Sequence, residues 1–248
     1  MAAIAAAVVC LAGCGSSTVA APGPDVGQQE SAALPGSVLN AKLTSSDGKP
    51  VTLADLRGKV VVISDMMTLC QETCPLDTAN VVAAAKRVEQ AGLGDKVVFV
   101  SITIDPKRDT VSRLAAYRKL YAPAPADWMT LTGSPETLAA LWKAFGVYIQ
   151  KVPDGSPAPT DWLTGKPLTY DLQHSDELFF VDGRGTARFV LEGAPHVGSN
   201  APIPPALLAF MDTKGKQNIT NPDPQSWTLD QEMQVLAWLT NTAKLSAT

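Results

Sequence analysis

Apolar positions recur along this chain with two different periods. Residues 59–64 (KVVVIS) and 96–104 (KVVFVSITI) are runs rich in β-branched side chains, the pattern of strands buried on both faces. Between them, residues 76–91 carry helical spacing that stops at Gly92. A second helix is predicted from Asp109, a capping residue, to about Leu120. Residues 128–131 read as a short strand. Ser134 followed by Pro135 starts a helix that runs to about Phe145, and 147–151 can add an edge strand. Two hairpins are predicted: one within 39–53 around Ser46-Asp47-Gly48-Lys49, the other from 177–181 and 186–191 around Asp182-Gly183-Arg184-Gly185. Residues 153–172 and 193–224 read as long proline-rich loops, and 228–244 closes the chain as a helix with Leu229, Met233 and Leu236 on one face.

Alternating strands and helices, then a hairpin and a last helix, predict an α/β fold with a mixed sheet flanked by helices. In a thioredoxin-like version of that fold, the first helix starts where the first buried strand ends. Composition agrees with a folded body: 46% of the 248 residues are hydrophobic and 18% charged, too apolar for a disordered chain. The net charge of −4 excludes a basic nucleic-acid binder, and four cysteines are too few for a disulfide scaffold.

Two of those cysteines lie at the N-terminus. Residues 2–12 form an uncharged apolar run, too short to span a bilayer but of signal-peptide length, ending at Leu11-Ala12-Gly13-Cys14. This looks like a bacterial lipobox. The expectation is a lipoprotein signal peptide over 1–13 that removes Cys10, and a lipid anchor on Cys14. No Lys or Arg precedes the run, which leaves room for a start upstream. The alternative is an apolar tail with an incidental cysteine. Residues 14–37 are rich in small residues, Gly and Pro, and are expected to be a flexible tether before a single domain over 38–248.

The other two cysteines stand in Ser64-Asp65-Met66-Met67-Thr68-Leu69-Cys70-Gln71-Glu72-Thr73-Cys74-Pro75. Pro75 disfavours helical geometry at Cys74 and suits a first helical turn, so the pair belongs to the strand-to-helix loop. Amide N–H groups and the helix dipole there stabilise a thiolate. Three intervening residues let both sulfurs face one point, which permits a disulfide or a shared soft metal. A stabilising disulfide would close too small a ring to matter much, and zinc would need two further ligands.

The segments Cys70-x-x-x-Cys74-Pro75, Asp105-Pro106-Lys107-Arg108-Asp109-Thr110, and His174-Ser175 before Phe179-Phe180-Val181-Asp182-Gly183-Arg184-Gly185 together resemble the Sco/SenC family. The resemblance covers about residues 38–192 and the final helix. It implies a thioredoxin-like domain binding one copper ion through Cys70, Cys74 and His174. It further implies a metallochaperone that delivers copper to, or reduces thiols at, the binuclear copper site of cytochrome c oxidase; with the lipid on Cys14, it is expected at the extracytoplasmic face of the bacterial cell membrane. Two thiolates and an imidazole do suit Cu(I) and can hold Cu(II). Thiol oxidoreductases of this fold usually present a cis-proline where this chain has Gln173-His174-Ser175. Thiol–disulfide exchange through Cys70 and Cys74 as catalytic residues is the alternative function. A peroxidase arrangement is not evident.

The chain departs from the family at Gln71, where proline is usual, and at Gln173, where aspartate is usual. Met66 and Met67 replace aromatic residues. Loss of a carboxylate beside the histidine weakens metal binding, with Asp171 or Asp176 as replacements. Met66 and Met67 are expected in the core, Asp105 to Thr110 in a turn and cap, His196 in solvent, and Asp154, Asp161 and Asp171 as solvated loop charges.

Overall fold

The computed structural model describes residues 18–245, so Cys10, Cys14 and the expected signal peptide lie outside the described residues. Among the described residues ten strands form: β1 (Gln28–Gln29), β2 (Leu43–Ser45), β3 (Pro50–Val51), β4 (Val60–Met66), β5 (Val97–Thr103), β6 (Trp128–Gly133), β7 (Ile149–Val152), β8 (Asp171–His174), β9 (Glu177–Val181) and β10 (Ala187–Glu192). The helices are α1 (Gly36–Leu39), α2 (Cys74–Gln90), α3 (Val111–Lys119), α4 (Pro135–Phe145), α5 (Pro205–Phe210), α6 (Thr213–Thr220) and α7 (Leu229–Thr240). Eight strands make one mixed sheet in the order β1-β10-β9-β4-β5-β6-β2-β3, and β7 pairs with β8 in a separate two-stranded sheet. The parallel β4-β5-β6 centre, antiparallel β9 and flanking helices are the thioredoxin-like arrangement expected.

Both central strands are buried throughout, and their side chains alternate between two cores. Val60, Val62, Val97 and Phe99 pack with residues of α2, α3 and α7. Val61, Ile63, Val98 and Val100 pack with α1, α4 and the cysteine loop. Ser134 caps α4 by accepting from Thr137 N, and Gly146 ends that helix at φ 81°, which glycine adopts without penalty. No helix of the described residues is long and apolar enough to cross a membrane.

Several expectations are corrected. Asp109 does not cap α3; Thr110 does, accepting from Arg113 N, while Asp109 is buried under donors from Thr68 and Thr103. Residues 18–37, read as tether, lie against the body: Gln28 pairs with Val190, and Val19 N donates to Asn241 at 3.0 Å. The loop over 153–172 ends early because Asp171 already pairs with Val152. Asp161 is buried rather than solvated, holding Arg113 through two bonds of 3.0 and 2.6 Å. The segment 193–224 contains α5 and α6, and α7 stops at Thr240, with Asn241 left-handed behind it.

Candidate metal centre

At the end of β4 the chain leaves the sheet, turns at Cys70 (N–H to Met67 O, 3.2 Å) and enters α2 at Cys74. The turn is pinned at several points. Thr68 N donates to Asp109 Oδ2 at 3.1 Å, and Trp162 Nε1 donates to Thr68 O at 2.8 Å. From the far side Asp212 N donates to Gln71 O at 3.2 Å, and Lys214 pairs with Glu72 at 2.5 Å. Gly215 approaches so closely that a Cβ there would lie 2.2 Å from Gln71 O. Both long loops therefore close on the segment that carries the cysteines.

Cys70 and Cys74 are free thiols, 7% and 0% exposed. Cys74 N, at the start of α2, donates to Cys70 Sγ at 3.5 Å, and His174 Nε2 lies 3.7 Å from Cys74 Sγ. The two sulfurs and an imidazole nitrogen of His174 all lie within 4.8 Å of one another. His174 arrives at the end of β8, whose pairing with β7 holds it opposite Ile149.

The carboxylate beside His174 comes from an unexpected place. His174 Nδ1 lies 2.6 Å from Ser175 O and 2.8 Å from Asp65 Oδ2, and the Asp65 side chain is fully buried. Asp65 Oδ1 accepts from Glu177 N at 3.0 Å, which fixes the carboxylate. Ser175 O accepts at Nδ1 while the Asp65 carboxylate lies beside it as an ion-pair partner, which keeps the proton on that side and aims Nε2 at the sulfurs. Asp171 instead accepts from its own neighbour, Leu172 N, whereas Asp176 stays near Asp65 and His174. The sequence signal for Asp65 was a lone acid inside the apolar run VVVISDMM.

The charges are coupled. The Cys74 thiol beside Cys70 stabilises its thiolate and, with His174, outweighs burial, so the Cys70 pKa falls well below the thiol value. Cys74 rises well above it, through that same neighbour and burial. Burial opposes a charge on His174, yet Asp65 and the Cys70 thiolate win and raise it well above the ordinary imidazole value. Burial and the Asp65 charge push Asp176 up to about 6, and burial with the neighbouring Asp176 raises Asp77 well above the ordinary carboxylate value. Within the pair, Cys70 is therefore the sulfur that gives up its proton more readily, and the imidazole beside Cys74 Sγ favours its charged form. Met66 and Met67 are core residues, as expected, Met67 Sδ accepting from Arg108 at 3.4 Å, and His196 is exposed.

Fold and site define a class: thioredoxin-like proteins that converge two cysteines and a histidine on one point. The SCO1/SenC family model matches residues 39–196, and the chain belongs to that family. It is 32% identical over 139 residues to protein SCO1 homolog 1, mitochondrial, of Arabidopsis thaliana, covering 56% of this chain and 39% of that one. The chain spans about half the length, or less, of the first curated relatives it matches. Its fold is similar to a SCO1/SenC family lipoprotein from Bacillus anthracis (28% identity, TM-score 0.50, 68% of this chain and 89% of that). Bradyrhizobium japonicum ScoI with copper bound shares the fold at 24% identity and TM-score 0.50, over 74% of this chain and 95% of that one. The family match ends at 196, so α5, and α6, which touches the cysteine loop, lie beyond it.

Proposed function

We propose that this protein is a copper-binding assembly factor that delivers copper to, or keeps reduced, the binuclear copper site of a cytochrome c oxidase subunit. The observation that carries the proposal is the convergence of Cys70, Cys74 and His174. Two sulfurs and one nitrogen are a soft, three-donor set with a position left for a donor from another protein, as transfer of a cargo ion requires. The other acid cluster, Asp65, His174 and Asp176, uses the protonated side of the imidazole and serves the first as support. Membership of the SCO1/SenC family and the copper-bound state of the Bradyrhizobium protein agree with copper as the cargo.

In this proposal residues 1–13 are a lipoprotein signal, Cys14 carries the lipid, and the single domain, with residues 18–37 lying against it, works at the extracytoplasmic membrane surface. The lipoprotein relative from Bacillus anthracis is in keeping with that placement. Mass spectrometry of membrane-expressed protein is expected to find diacylglyceryl on Cys14; an unmodified cysteine contradicts it. Thiol–disulfide exchange is the second function, favoured by the lowered Cys70 pKa. A deletion strain separates the two. His174→Ala is expected to fail to restore the oxidase copper site while keeping thiol exchange, and full restoration by that variant would overturn copper delivery.

A further inference from the structure

We infer that a groove beside the metal centre is the docking surface for an acidic, apolar-tipped segment of the protein that exchanges copper with this chain; the inference rests on the copper function proposed above. The groove, of about 610 Å³, runs between α4, the turn after β5 and the β7–β8 hairpin. Ile104, Leu138, Trp142, Val147 and Leu172 make an apolar floor. Trp142 Nε1 donates to Thr103 O at 3.0 Å, so the floor is fixed before anything binds.

The rim has the opposite character. Lys107, Lys143 and Lys151 line the groove, all three are exposed, and none pairs with an acid among the described residues. The one carboxylate in the lining, Asp105, is buried and turned to Arg108 and to Tyr170 OH (2.8 Å), so it does not offset the lysines. In a chain of net charge −4 this is a local reversal of sign around an apolar surface. Its complement carries carboxylates at the edges and apolar side chains at the centre. Tyr148, 54% exposed at the mouth, adds the amphipathic ring that such contacts favour.

Position argues for a protein that reaches the metal ligands. Ser175 N donates to Tyr148 O at 3.1 Å, Tyr148 N donates to Ser175 Oγ at 2.9 Å, and Ile149 pairs with His174. A partner resting on Tyr148 and Ile149 is one ladder step from the imidazole. The opposite approach, over Gln71 and Glu72, is taken by Asp212, Lys214 and Gly215.

The test titrates the full reduced chain with the soluble, metal-free copper-site domain of the oxidase subunit, following amide shifts by NMR. The expected result is shifts confined to the groove and affinity that falls as ionic strength rises. The triple variant Lys107→Glu, Lys143→Glu, Lys151→Glu should bind roughly ten-fold or more weakly while holding copper(I) like wild type, and Tyr148→Ala should weaken binding without any change of charge. Equal binding by wild type and triple variant, no binding of the domain, or lysine-dependent binding of anionic phospholipid vesicles in its place would each overturn the inference. A chain that docks the domain with this lysine dependence yet holds no copper would remove the copper function and leave the docking surface standing.

Discussion

Asp65 is the one charged side chain in β4, and it spends that charge on His174. A carboxylate behind a histidine ligand fixes its tautomer and raises its basicity, and losing it lowers metal affinity by roughly 10–100-fold. Asp65→Asn is therefore expected to weaken copper(I) binding by about that factor, measured by competition with a chromophoric chelator. Its second signature is a His174 pKa that drops toward the ordinary value in an NMR titration; an unmoved titration curve would contradict the positioning role. Proton competition gives a further expectation. Cys74 and His174 both sit above their ordinary values, so each must release a proton when its donor atom takes up metal. Copper affinity should rise with pH, and calorimetry in buffers of different ionisation enthalpy should detect protons released on binding. The cysteine pair was legible because its spacing and Pro75 act locally. Asp65 was not, since its partner arrives on β8, far along the chain.

Elements were legible where one core dictated them. The fully buried, mostly apolar β4 and β5, the Ser134-Pro135 start of α4 and the Asp182–Gly185 hairpin all formed as their patterns predicted. The segment from 193 to 224 was not, because α5 and α6 are only six and eight residues long and are broken by proline and glycine. What fixes α6 is its contact with the cysteine loop. Gly215→Val would set a side chain against the Gln71 carbonyl and the Glu72 backbone, and neither can yield without moving the loop. The variant should lose on the order of 1–3 kcal/mol of stability and alkylate Cys70 several-fold faster. An unchanged alkylation rate would show that α6 does not restrain the site.

At the scale of the whole molecule, α7 lies against α2 and seals one core, and it brings Glu232 inside with it. Glu232 is 0% exposed, neither of its oxygens has a hydrogen-bond partner among the described residues, and burial raises its pKa to about 8. A raised acid stays protonated in the folded chain while the unfolded chain ionises. The folded state therefore loses stability as pH climbs from the unfolded value of 4.5 toward 8. Glu232→Gln should remove that loss, leaving the variant more stable than wild type by on the order of 4 kcal/mol at the upper end and nearly equal at the lower. Thermal melts across that range check it; a difference independent of pH would contradict it.

The whole account turns on whether Cys70, Cys74 and His174 act as one metal site. The most direct measurement is a copper(I) titration of the reduced chain against a competing chelator, for wild type, Cys70→Ser, Cys74→Ser and His174→Ala. The account predicts a single tight equivalent on wild type and a loss of roughly ten-fold or more in each variant. Copper held by His174→Ala as tightly as by wild type would contradict it.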